Sequence, residues 1–215
     1  MRAVVGGLFA AVVALLAGAA TAQPEKLNHT LNVYEAIVTY PGPIWYESGN
    51  PIDASEHYRR QNGPEFVIEQ IPKGQKFETW TSMYAVRGYY LAARPDLTMD
   101  EFLGANLLIP YEQTCGRENI AIRVLERLPD RIMLLFLCQN SAGGPGRIGY
   151  RDGVGELAVY KAFKLKTTFV EVFQKWRGPR FVAGDNTTWP AAVADVNHVI
   201  ELIKTAAVHP SPRQP

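Results

Sequence analysis

The sequence predicts an α/β domain of the α+β kind, with a central, mainly antiparallel sheet sandwiched between helices. Two runs, residues 80 to 91 and 131 to 138, are apolar on both alternating faces, as strands covered on two sides must be. Short turns join successive strand-like segments, which suits antiparallel neighbours because parallel ones need long crossovers. Helix signals fall before, within and after the strands, so helices are available for both faces.

Taken in order, residues 1–22 carry Arg2, then a run rich in Ala, Val and Leu, and close on Ala20-Thr21-Ala22. This is the pattern of a secretory signal peptide cut after Ala22. Gly6, Gly7 and Gly18 dilute the run below the roughly 20 strongly apolar residues a membrane span needs, so no stable membrane insertion is expected once it is removed. Residues 28 to 46 read as extended chain broken by Pro41 and Pro43. Asp53 followed by Glu56 resembles a capping box, predicting a short helix through "ASEHYRRQ" that Gly63 stops. "PEFVIEQIPKGQ" is a strand ending at Lys73-Gly74, and residues 80 to 92 form the first two-faced strand.

Thr98 with Glu101 forms a second capping box, opening a helix through Phe102, Leu103 and Leu107 that Pro110 is expected to end. A hairpin follows, with Ile120, Ile122 and Val124 directed inward, a turn at Leu128-Pro129-Asp130, and a return through Met133, Leu135 and Leu137. "GELAVYKAFK" and "TTFVEVFQKWR" make another antiparallel pair. Val193, Val196, Ile200 and Ile203 repeat at helical spacing in a last helix from about Pro190. The polar, proline-rich tail 209–215 is expected to be disordered, leaving 23–208 as a single globular domain.

Only Cys115 and Cys138 are present, and an even count in an exported chain predicts a disulfide. A metal site would need more ligands at short spacing, and no histidine lies between His57 and His198. Removing the leader takes away Arg2 and leaves 21 basic against 21 acidic side chains. Such a neutral chain lacks the basic excess that phosphate neutralisation requires, so no nucleic-acid partner is expected.

Gly144, Gly146 and Gly149 spell GxGxxG directly after a strand-like run, the literal fingerprint of dinucleotide binding. That chemistry requires a helix to follow, whose N-terminus meets the pyrophosphate. Here Gly153 and Gly155 would break a helix, and Val159, Tyr160 and Phe163 favour strand. The segment is therefore read as a long strand connection, and no cofactor is expected.

No GxSxG, HExxH, P-loop or calcium loop occurs. "IPKGQKFETWTSMYAV" and "GELAVYKAFKLKTTFVEVFQKWR" resemble the Pro-x-Gly turn with its Trp-Thr strand, and the closing hairpin, of exported bacterial proteins with the PsbP/Mog-like fold. The likeness spans about residues 38 to 206. It implies an antiparallel sheet between helices and a role in assembly, stabilisation or binding, and it offers no catalytic motif to transfer.

The expectation is an exported, non-catalytic binding or accessory protein of the cell envelope, periplasmic or secreted, whose partner is an envelope protein or a small ligand. The alternative is a secreted hydrolase acting on envelope or extracellular material, its catalytic groups gathered only in space. The binding residues singled out are Arg147, Tyr150 and Arg151, two cations and an aromatic among glycines, on a loop that a rigid sheet would present.

Overall fold

Ten strands and three helices are laid out in a computed structural model that describes residues 28–48, 54–143 and 150–212. Residues 1–22, where a leader is expected, and Arg147 lie outside the described residues. Seven strands form one antiparallel sheet in the order β3-β4-β5-β9-β8-β7-β6. They are β3 (Ser55–Asn62), β4 (Glu65–Pro72), β5 (Ser82–Tyr90), β6 (Ile120–Leu128), β7 (Arg131–Gly143), β8 (Arg151–Leu165) and β9 (Thr168–Pro179). A second, three-stranded sheet holds β1 (Asn28–Val33), β2 (Ala36–Pro41) and β10 (Ala207–Pro210).

The two-faced strands lie inside the large sheet, as their patterns require. On one face Ala85 of β5 and Ile132, Leu134 and Phe136 of β7 join Tyr160, Phe169 and Phe173 under α1 (Met99–Leu103) and α2 (Ile109–Cys115). Phe102 stacks on Phe169 at 4.3 Å between ring centroids. On the opposite face Met133, Leu135 and Leu137 meet Val196, Val199 and Ile203 of α3 (Val193–Lys204). Beside α3, Val33, Val38 and Tyr40 of the small sheet cover Tyr84, Val86, Val170 and Val172. One covering layer is thus part helix and part sheet, where the sequence suggested helices alone. Gly88 permits that closeness, since a Cβ there would come within 2.1 Å of Val33 Cγ1.

The capping box at Thr98 forms: its hydroxyl accepts the Glu101 N–H at 3.2 Å and Glu101 accepts the Thr98 N–H at 2.8 Å. Pro110, however, does not end the helix. The backbone continues through a π-helical turn, Gly104–Leu108, into α2, where Pro110 occupies the first turn. The wider π turn accommodates a residue that has no N–H to donate and whose ring would clash with the carbonyl four residues back in a regular α-helix.

Three further expectations are corrected. Residues 55–62 form strand β3, because β4 supplies a partner along its whole length and Gly63, at φ 53°, turns the chain back at the hairpin instead of capping a helix. The segment is polar and without an apolar stripe, so nothing would have docked it as a helix. Ile122 and Val124 are 42% and 50% exposed, because β6 is the outermost strand and the helices cover only its start near Ile120. His209 and Pro210 belong to β10, paired with Ile37 and Ala36, so ordered chain runs into the segment expected to be a disordered tail.

Candidate binding site

Along β9, side chains alternate between the two faces of the sheet, which puts Glu171, Phe173, Lys175 and Arg177 together on the helix α1–α2 side. Strand register then places Glu156 of β8 directly opposite Arg177 on β9 and, on its other side, opposite Cys138 on β7. Glu156 is buried, as are Lys175 and Arg177. The Lys175 Nζ lies 3.1 Å from Glu156 Oε1, and the Arg177 Nη2 lies 3.3 Å from Oε2. Tyr111, reaching down from α2, donates a short hydrogen bond to Glu156 Oε1 and accepts one from Lys175 Nζ at 2.5 Å. Tyr150 donates to Oε2 at 2.5 Å.

Burial alone would raise the Glu156 carboxyl. Lys175, Arg177 and the two tyrosine hydroxyls outweigh it and hold Glu156 below the ordinary carboxylate value. Burial lowers Lys175, opposed mainly by Glu156. The disulfide Cys115–Cys138, with Cα atoms 5.9 Å apart, supports this arrangement. Tyr111 lies four residues before Cys115 and so on the same helical face, and the bridge holds that face above Glu156.

Where β5, β8 and β9 begin and end, a cleft of about 750 Å³ opens, lined by Glu78, Trp80, Tyr150, Arg151, Asp152 and Arg177 among others. The Arg177 guanidinium is sandwiched there, its Cζ 3.8 Å from the Trp80 ring centroid and 4.2 Å from that of Tyr150. Its Nε and Nη1 are buried and have no hydrogen-bond partner among the described residues. A buried donor left unpaired costs about 1–3 kcal/mol, so such a group invites an acceptor.

Of the three residues singled out from sequence, Tyr150 and Arg151 line this cleft and Arg147 is outside the described residues. Tyr150 forms one wall, while Arg151 is exposed and its carbonyl accepts from the Ser141 hydroxyl at 2.7 Å. The sequence reading missed Trp80, Glu156, Lys175 and Arg177. A signal existed: Glu171, Lys175 and Arg177 share one parity in a strand whose other residues are mostly apolar, where a buried charge must find a partner.

Glu171 belongs to a second buried group on the same face. Its Oε1 has no hydrogen-bond partner among the described residues, and burial raises its carboxyl despite the charges of Arg87 and Lys175. The folded state therefore holds that proton more tightly than the unfolded chain does. Its stabilising contribution is present below the ordinary carboxylate value and is lost as pH rises through the folded value. Glu171→Gln is expected to match wild type near pH 4 and to become progressively more stable than wild type towards pH 8, measured by urea midpoints. Parallel pH curves for the two proteins would refute the assignment.

No family model matches the sequence, and no curated protein matches it significantly. Among solved structures the chain is similar to the Ran-binding protein Mog1p of Saccharomyces cerevisiae, with 10% identity, a TM-score of 0.44, and coverage of 85% of this chain and 96% of that one. It is also similar to a mutant of protein Mog1, with 12% identity, a TM-score of 0.43, and coverage of 85% and 95%. At these scores the likeness assigns no residue and no partner to this chain.

Proposed function

We propose that this is an exported, non-catalytic binding or accessory protein of the cell envelope that engages its ligand or partner at the cleft between Trp80, Tyr150 and Arg177. The observation that carries this reading is Arg177 itself, buried, with the Trp80 and Tyr150 rings against its guanidinium and with Nε and Nη1 lacking a partner among the described residues that line the cleft. Aromatic residues and arginine are the side chains that most often dominate binding energetics. The leader-like residues 1–22 and the disulfide, a bond that persists in oxidising compartments, support export. Among the described residues no helix is long and apolar enough to cross a membrane. The hydrolase alternative would need a nucleophile beside a base. Among the described residues the cleft offers the hydroxyls of Thr79 and Thr81 and the carboxylates of Glu78 and Asp152, but Asp152 is bonded to Asn140 Nδ2 at 3.0 Å and the Thr81 hydroxyl to Gln75 Nε2 at 3.0 Å.

Arg177→Met keeps an unbranched chain between the two rings and removes the guanidinium. Immobilised wild type and variant, compared for retention of material from the native envelope, are expected to differ by at least about tenfold in affinity, equivalent to about 1.4 kcal/mol. Equal retention by both, with unchanged near-UV circular dichroism, would reject the cleft.

A further inference from the structure

Strand β6 closes the seven-stranded sheet on one side. Along one of its edges it pairs with β7, and no described strand pairs with the other. Antiparallel alternation sends the N–H and C=O of every second residue to that open edge, where a further strand can add. The other outer strands are guarded against such addition. β3 is polar along "SEHYRRQN" and exposed from His57 onward, β1 exposes Asn28, Thr30 and Asn32, and β10 is four residues long and ends on Pro210. Among the described outer strands only β6 exposes β-branched apolar side chains, those of Ile122 and Val124.

The part of β6 that can accept a straight partner is bounded at both ends. A short helical turn, Arg117–Asn119, precedes it, and the register with β7 shifts between Val124 and Glu126, a bulge that twists the edge beyond. What remains is Ile120 to Val124, with Ile122 at its centre. A second copy entering across a two-fold axis pairs this stretch with itself over its full length in one register only, Ile122 on Ile122. Ile120 then faces Val124, so the apolar side chains of both copies form one stripe on the face that carries α1 and α2, where Ile120 already packs. On the opposite face Arg123, the one charged residue of the stretch, meets Ala121. Moving the axis one residue towards the bulge would set Arg123 against Arg123, and like charges directly opposed destabilise a strand pair. A formal net charge of +1 on the whole chain does little to hold two copies apart.

We propose that two copies of the chain associate edge to edge through β6, joining their large sheets into one continuous antiparallel sheet. This holds whether or not the cleft, which lies at β5, β8 and β9, takes a ligand. Sedimentation velocity of the full chain, with its Cys115–Cys138 bridge intact, is expected to show a monomer–dimer equilibrium that moves with concentration. Ile122→Lys sets two ammonium groups against each other at the axis and is expected to weaken the dimer at least about tenfold. Because Ile122 is exposed in the single copy, the circular dichroism spectrum should stay unchanged. Under mild oxidation Ile122→Cys should give a cross-linked dimer, since directly opposed residues lie within reach of a disulfide. Val124→Cys should not, because its two copies stand about 14 Å apart along the strands. A monomer at every concentration, a dimer unaffected by Ile122→Lys, or cross-linking through Val124→Cys as readily as through Ile122→Cys would each overturn the proposal. So would a monomer whose β6 amides gain protection from exchange only in envelope extract, a result that gives the edge to a strand of another protein.

Discussion

Glu156→Gln is expected to cost about 3–5 kcal/mol of folding stability, the usual penalty for removing one partner of a buried ion pair. Glu156 is 1% exposed and is the shared counter-ion of Lys175 and Arg177, so the amide leaves two cations in the interior without a carboxylate. For a chain of this size the melting temperature should fall on the order of 10 °C. Combining Glu156→Gln with Lys175→Met and Arg177→Met should recover most of the loss, because apolar replacement of a whole buried ionic group is often near neutral. The pH dependence has a definite sign. Glu156 is held below the ordinary carboxylate value in the folded state, so its contribution is full above that value and is lost as acid takes the pH down through the folded one. Wild type should lose this increment on acidification and Glu156→Gln should not. A variant as stable as wild type at pH 7 would disprove the ion cluster.

Replacing both cysteines, Cys115→Ala with Cys138→Ala, is expected to cost about 3 kcal/mol, the chain-entropy value for a loop closed across 23 positions. A local effect should accompany the global one. The bridge is the covalent tie between α2 and β7, and Tyr111 sits on that helix with its hydroxyl on Glu156. Amide exchange should therefore accelerate in α2 and around Glu156 by more than it does at Phe102 or in α3. Reductant acting on wild type should reproduce the pattern once the buried sulfurs become accessible. Uniform acceleration across the sheet would mean that the bridge stabilises the chain without positioning the site.

Much of the fold was legible because its signals are local or strictly periodic. The alternation of apolar residues at 80–91 and 131–138 demanded cover on two sides, and β5 and β7 are interior strands. Thr98 and Glu101 lie within one turn of each other, and their reciprocal cap forms as read. The pairing of Cys115 with Cys138 needed only an even count and the leader-like pattern of residues 1–22. The failures share a cause. Asp53 and Glu56 carry a helix-start pattern, yet residues 55–62 are a strand because β4 offers eight paired positions and no apolar stripe exists to dock a helix. Ile122 and Val124 alternate as buried residues would, and only the strand order places them on an edge.

By itself the sequence determined the antiparallel meander and the disulfide partners, and it singled out Tyr150 and Arg151, which line the cleft, as an aromatic and a cation beside glycines. Only the tertiary structure decided what those residues surround. Trp80, Tyr111, Glu156 and Arg177 come from β5's approach, α2, β8 and β9, and no pair of them is close enough in the chain to leave a motif. They meet because antiparallel register sets Glu156 opposite Arg177 and because the bridge holds α2 above them. Register and layer contacts are fixed by burial summed over whole strands and helices, a quantity that no short stretch of sequence contains.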